Sequence, residues 1–176
     1  MYLRLLLVIL LSSFRRQNLA ITDESVLELT CMPWDCVLRY LGNDRFYAFM
    51  DLGRVDLLFR LGWARAVLKK KWNPFVVTSY IQYRCPVGMF QKVTVHTKLI
   101  YWDSRFFWME HEIKQNDTTL ASALSKNAAR SRRGIVSTSL IFFILSESSD
   151  PPNCPESVRL IIELDAAYRQ GNKTAS

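Results

Sequence analysis

The sequence predicts an α+β domain in which one antiparallel sheet wraps a single long helix. Three observations carry this expectation. From Asn43 or Asp44 the segment NDRFYAFMDLGRVDLLFRLGW repeats apolar residues at close to i, i+3, i+4 spacing behind an Asn/Asp cap, and it is apolar enough to be buried on more than one side. Residues 75–84, 91–101 and 106–114 then follow with the β-branched and aromatic composition of strands. With 176 residues, 49% of them apolar and only six Gly and six Pro, the chain can bury one ordinary core.

The remaining elements fall around that frame. Ahead of the helix, VLELTCMP alternates apolar and polar residues and reads as a strand stopped by Pro33. Within 91–101, Val93, Val95, Thr97 and Leu99 share one face, opposite Thr94, His96 and Lys98. The break YWDSR joins that strand to the next as a hairpin, and Asn116-Asp117 makes a further turn into a fifth strand at 118–130, whose alanines weaken it on propensity alone. Pro155 opens a final amphipathic helix at 156–170, with Val158, Ile161 and Ile162 on its apolar side. This divides the chain into a leader (1–22), a sheet-and-helix domain (23–136) and a C-terminal extension (137–176).

The net charge of +7 invites a nucleic-acid reading, but it is local. Arg4, Arg15 and Arg16 sit in the leader with no acid before Asp23; Arg60, Arg65, Lys69, Lys70 and Lys71 follow the helix; Lys126, Arg130, Arg132 and Arg133 close the last strand. No basic run is interleaved with aromatics as single-strand binding requires, so nucleic acid is not favoured as a partner. Cys31, Cys36, Cys85 and Cys154 form no CxxC pair and have no neighbouring histidines, so no metal site is expected and buried free thiols are the simplest reading.

The leader has an apolar run over 5–11, too short to span a bilayer, which takes about 20 apolar residues. It reads as a mitochondrial presequence, a signal-peptide core or a retained helix lying on a membrane, with an ordinary buried first helix as the plainest alternative. A membrane-associated mitochondrial location is expected, with the secretory pathway or endoplasmic reticulum as the alternative.

Several blocks together resemble a known family. PWDCVLRYLGNDRFYAFMDLGRVDLLFR, then TSYIQYR, TKLIYWD and FFWMEH, are similar in order and spacing to the thioesterase-like hotdog proteins related to hydroxybenzoyl-CoA thioesterase, over about residues 27–136. The resemblance implies a five-stranded antiparallel sheet around the long helix, pairing into homodimers, and hydrolysis of acyl-CoA thioesters. In that chemistry a carboxylate activates water or attacks directly, while backbone N–H groups at a helix start receive the oxyanion. The family motif ahead of the helix runs Asp-x-Asp, three residues, His, one residue, Asn-Asn. Aligned on MDLGR without gaps, this chain has Trp34 and Cys36 at the aspartates, Tyr40 at the histidine and Gly42 at the first asparagine, and it retains only Asn43.

The motif is therefore eroded. Asp35, one residue off, and Asn43 are the surviving catalytic candidates, with Asp44 next; a turn or cap role competes for each acid. Tyr40 and Gly42 are candidates for contact with substrate, and Arg130, Arg132 and Arg133 for gripping the CoA phosphates, against a plain solvated role. Cys36 suggests a thiol nucleophile but lacks an assignable base, and His96 and His111 read as hydrogen-bonded strand residues. Asp51 reads as a structural hydrogen-bonding residue. Two functions follow: a non-catalytic or weakly catalytic hotdog subunit with structural or interaction duties in a membrane-bound mitochondrial assembly, or an acyl-CoA or acyl-carrier thioesterase. Neither needs a cofactor beyond the CoA carried by an acyl-CoA ligand, and protein-complex partners belong to the first.

Overall fold

The computed structural model describes residues 2–14, 19–145 and 150–174. Helix α1 (Tyr2–Phe14) precedes strand β1 (Glu24–Thr30); a single 3₁₀ turn at Pro33–Asp35 leads into a short hairpin, β2 (Cys36–Val37) and β3 (Tyr40–Leu41). Then come helices α2 (Asn43–Arg60) and α3 (Trp63–Lys69), strands β4 (Asn73–Tyr83), β5 (Lys92–Trp102), β6 (Phe107–Gln115), β7 (Thr118–Ser131) and β8 (Gly134–Ile135), and helices α4 (Thr138–Leu145) and α5 (Glu156–Thr174). The main sheet is antiparallel in the order β1-β5-β6-β7-β4, with β8 on the end of β7. Because β1 and β4 stand at opposite edges, the chain between them must cross the sheet, and α2 does so along its inner face. This is the expected α+β fold, one curled sheet wrapped around one long helix.

The inner face is built by strand alternation. Val93, Val95, Thr97 and Leu99 of β5, with Phe107, Met109, His111 and Ile113 of β6, are all buried and share the side that meets α2. Contact is closest at Gly53, where an added Cβ would stand 2.5 Å from Thr97 Oγ1 and 2.9 Å from Val95 Cγ1. The helix lies this near the sheet only because that position has no side chain.

Helix α1 covers the side of α2 that the sheet leaves open. Arg4, Val8 and Ser12, four residues apart, lie on its inward stripe. Arg4 Nη1 donates to Asp35 Oδ2 at 2.8 Å, and Arg4 Nη2 donates to the Thr30 carbonyl at 2.9 Å. Ser12 Oγ donates to Asp56 Oδ1 at 2.5 Å, while Ser25 donates to the other oxygen of that fully buried carboxylate. Leu6, Leu7, Leu10 and Leu11 are exposed. On the outer face of the sheet, α5 seats Val158 and Ile161 against Trp108 and Leu124, and Lys126 Nζ reaches Asp165 at 2.9 Å.

Three features go beyond the sequence expectation. Gly62 enters the left-handed region (φ 73°), which separates α2 from a further helix, α3, that the sequence did not announce. The hairpin β2–β3 is too short for periodicity to show. Helix α4 comes from SLIFFIL, whose apolar run has no helical period; it forms because Ile141 and Phe142 bury among Trp63, Trp102 and Phe107. Arg15 and Arg16 of the leader lie outside the described residues.

Gly53→Ala tests the close approach. Alanine favours the helix by about 1 kcal/mol, but overpacking against Thr97 and Val95 costs typically 1–3 kcal/mol, so urea unfolding is expected to show net destabilisation.

Candidate functional site

A charged residue in the middle of the apolar helix sets up the site. Arg54 points from α2 toward the sheet and is only 8% exposed. One terminal nitrogen, Nη2, donates to Asp51 one turn earlier; the other, Nη1, donates to His111 Nε2 at 3.2 Å and lies 3.5 Å from Ser125 Oγ. The guanidinium carbon stands 5.4 Å from the centre of the Tyr47 ring. Arginine has no acceptor, so His111 Nε2 must present its lone pair and the proton sits on Nδ1, which donates to Thr97 Oγ1 at 3.2 Å. Ser125 Oγ lies 2.9 Å from His111 Nε2 and accepts from Asn127 Nδ2 at 2.9 Å. Desolvation first, and the neighbouring Arg54 charge second, push the His111 pKa well below 6.5.

Beside this cluster lies a cavity of about 610 Å³, within the range of small-molecule pockets. It runs between α2 and the β6–β7–β4 half of the sheet, with residues of α3 and α4 adding to its lining. Leu52, Val55, Trp63, Val76, Met109 and Ala129 typify its apolar wall. Asp51 and Arg54 are the charged side chains that line it, and Tyr47 and Asn127 add neutral polar groups. The Asp51 side chain is 48% exposed, so the polar end of the cavity lies where it approaches solvent.

The sequence candidates are placed elsewhere. Asp35 is 3% exposed and holds Arg4 of α1, and it also accepts from the Met32 backbone N–H at 3.0 Å. Gly42 is the N-cap of α2 and donates its N–H to the Asp35 carbonyl, with Asn43 the first helical residue; Tyr83 Oη donates to the Asn43 carbonyl at 3.4 Å. Asp44 is exposed and pairs with Arg45. Tyr40 is exposed on the hairpin. Asp35, Gly42 and Asn43 are thus brought together at the start of α2, while Arg130, Arg132 and Arg133 are exposed around the β7–β8 turn, in a different part of the chain's surface.

Cys36 Sγ is 3.4 Å from Cys31 Sγ, and both are free thiols. Burial, reinforced by that contact, pushes the Cys31 thiol up to about 12. His96 pairs with Glu24 and Thr94, and His111 belongs to the Arg54 cluster, so each has the hydrogen-bonded strand role expected for it. Among the described residues no group of three His, Cys, Asp or Glu could hold a metal ion.

Sequence reasoning did not single out Arg54, Ser125 or Asn127. The available signal was the pair Asp51 and Arg54 inside an apolar helix, with polar Ser125 and Asn127 alternating on a strand otherwise lined by alanine.

The model of the thioesterase-like superfamily matches residues 31–161, and the chain belongs to that superfamily. Protein THEM6 of Drosophila melanogaster is 21% identical over 154 residues, covering 85% of this chain and 77% of the fly protein. A hypothetical protein, TT1821, from Thermus thermophilus superposes with a TM-score of 0.64 at 20% identity, over 70% of this chain and 96% of its own. A 1,4-dihydroxy-2-naphthoyl-CoA thioesterase from Synechocystis gives 0.60 at 13% identity, over 70% and 95%. These structural likenesses establish the hotdog fold.

The His111 environment has a pH consequence. Its folded pKa is depressed, so the unfolded chain takes up a proton as pH falls through about 6.5 while the folded chain does not. This contribution to stability is full above that pH and declines below it, by at most about 1.4 kcal/mol per pH unit. Thermal melts from pH 8 to 5 should show the decline, and His111→Gln should flatten that part of the profile.

Proposed function

We propose that this chain is an acyl-binding hotdog protein that does not hydrolyse its ligand and serves as a structural or interaction subunit at a membrane, in a mitochondrial assembly. The observation that carries the non-hydrolytic reading is the engagement of Asp35. It is the acid nearest the family's register, yet it is buried and committed to Arg4 and to the Met32 N–H, so it cannot turn to activate a water. The acyl chain is assigned to the apolar cavity between α2 and the sheet.

The membrane part of the reading is supported by α1. Its inward stripe is fixed to the domain by Arg4 and Ser12, while Leu6, Leu7, Leu10 and Leu11 form an exposed apolar stripe followed in sequence by Arg15 and Arg16. No described helix is long and apolar enough to cross a membrane, so α1 is assigned a position lying in the interface. Homodimerisation is supported by β4, an eleven-residue strand at the end of the sheet with exposed Phe75, Tyr80 and Tyr83. Light scattering should give twice the 20.5 kDa of one chain.

A second reading, acyl-CoA hydrolysis, is favoured by Asp51, a half-exposed carboxylate on the cavity wall. Release of free thiol from medium- and long-chain acyl-CoA separates the two. The expected result is binding without turnover, with Asp35→Asn lowering stability by about 1–3 kcal/mol through the loss of its charged partner. Turnover that survives Asp35→Asn but is lost in Asp51→Asn would establish the enzyme instead.

For the membrane part, the protein should float with anionic vesicles. Leu7→Glu with Leu11→Glu should abolish flotation without lowering the melting temperature, because both side chains are exposed. A mitochondrial fraction containing the chain with residues 1–14 intact by mass is the expected cellular result.

A further inference from the structure

We propose that the Asp51–Arg54 pair makes the cavity selective for an uncharged acyl group, an ester or thioester, over the corresponding free carboxylate. The inference rests on the acyl-binding reading and adds to it the chemistry of the head group. An arginine at the end of an apolar cavity would ordinarily serve as an anion anchor, since its planar fork matches a carboxylate. Here both terminal nitrogens already make hydrogen bonds within the protein. Nη2 donates to Asp51, and Nη1 donates to His111 and approaches Ser125. A ligand carboxylate that took the fork of the two terminal nitrogens would compete with Asp51 and with the contact to a buried imidazole, whose lone pair faces that donor.

Electrostatics point the same way. Asp51 and Arg54 are the charged side chains on the cavity wall, so together they contribute no net charge. Asp51 is the more exposed member, at 48% against 10% for the Arg54 side chain, and it therefore presents its negative charge at the polar end where a head group would rest. His111 brings no compensating positive charge, because burial and Arg54 keep it neutral. The neutral hydrogen-bonding groups that remain on the wall, Tyr47 and Asn127, suit a carbonyl or an ether-like oxygen. The arrangement accepts an acyl chain while it remains esterified and disfavours the same chain as a free acid.

The test uses the full chain and two ligands that differ only in charge, ω-bromodecanoate and its methyl ester, titrated at pH 8. Trp63 and Trp72 line the cavity, so bromine quenching of tryptophan fluorescence reports occupancy there. The ester is expected to bind at least about tenfold more tightly than the acid, the scale of one charged neighbour. Asp51→Asn, a change at a half-exposed helix position, should strengthen acid binding by about tenfold and leave the ester unchanged. Asp51→Ala should do the same, which separates the effect from any new contact made by asparagine. Equal affinities in the native chain, or an acid affinity that neither variant moves, would overturn the filter while leaving acyl binding intact. Absence of quenching by either ligand would remove the acyl-binding reading and the filter with it.

Discussion

Arg54 places a guanidinium that cannot lose its charge between a helix and a sheet, and much of the inner face is arranged to accommodate it. Such a group needs acceptors and a counter-charge, or its burial would cost several kcal/mol. Asp51 supplies the charge from the same helix, one turn back, and His111 supplies a lone pair from β6. That acceptor role fixes the imidazole tautomer, the tautomer calls for an acceptor at Thr97, and Ser125 and Asn127 complete the polar layer. Small residues are required around it. Gly53 lets the helix approach Thr97, and the alanines of β7 leave space that the side chains of α2 do not fill. The cavity adjoins the polar cluster because both follow from the same choice of small side chains along one strip of the sheet.

A second set of charges ties the layers together. α2 is enclosed by the sheet on one side and by α1 on the other, and two acids from the body, Asp35 and Asp56, receive Arg4 and Ser12. The turn that carries Asp35 also touches the start of α2, since the Asp35 carbonyl accepts the Gly42 N–H at 3.0 Å. In family relatives the stretch before the helix is expected to carry the catalytic acids. Here the same stretch holds α1, through the hydrogen bond of Arg4 to Asp35.

The long helix, the five strands and the C-terminal helix were legible because each has a hydrophobic period or composition longer than its local irregularities. Even the alanine-rich strand was placed correctly; its alanines, which are poor strand formers, are explained by the helix and cavity they face. What sequence could not show depends on contacts between distant residues. α4 has no helical period and forms because Phe142 has three aromatic neighbours contributed by other elements. Asp35 could be named as a candidate from its position, but its partner stands 31 residues away in a segment read as a leader. Arg54 was visible as a letter in a helix, whereas its meaning came only from the strands that surround it.

The separation of those partners also bears on how the chain is made. α1 is synthesised ahead of the acids that hold it: Asp35 follows 31 residues after Arg4, and Asp56 follows 44 residues after Ser12. At cellular rates of about 5–20 residues per second, the second of these gaps lasts on the order of 2–9 s. During that interval the helix has its leucines and its inward stripe but no domain to dock on. The nascent segment then carries its apolar side chains without the partners that later cover one side of it, and a helix of this length is marginal on its own. Once Asp56 has emerged and the body has folded, the helix has one side committed, and its exposed leucines are the part still open to another surface.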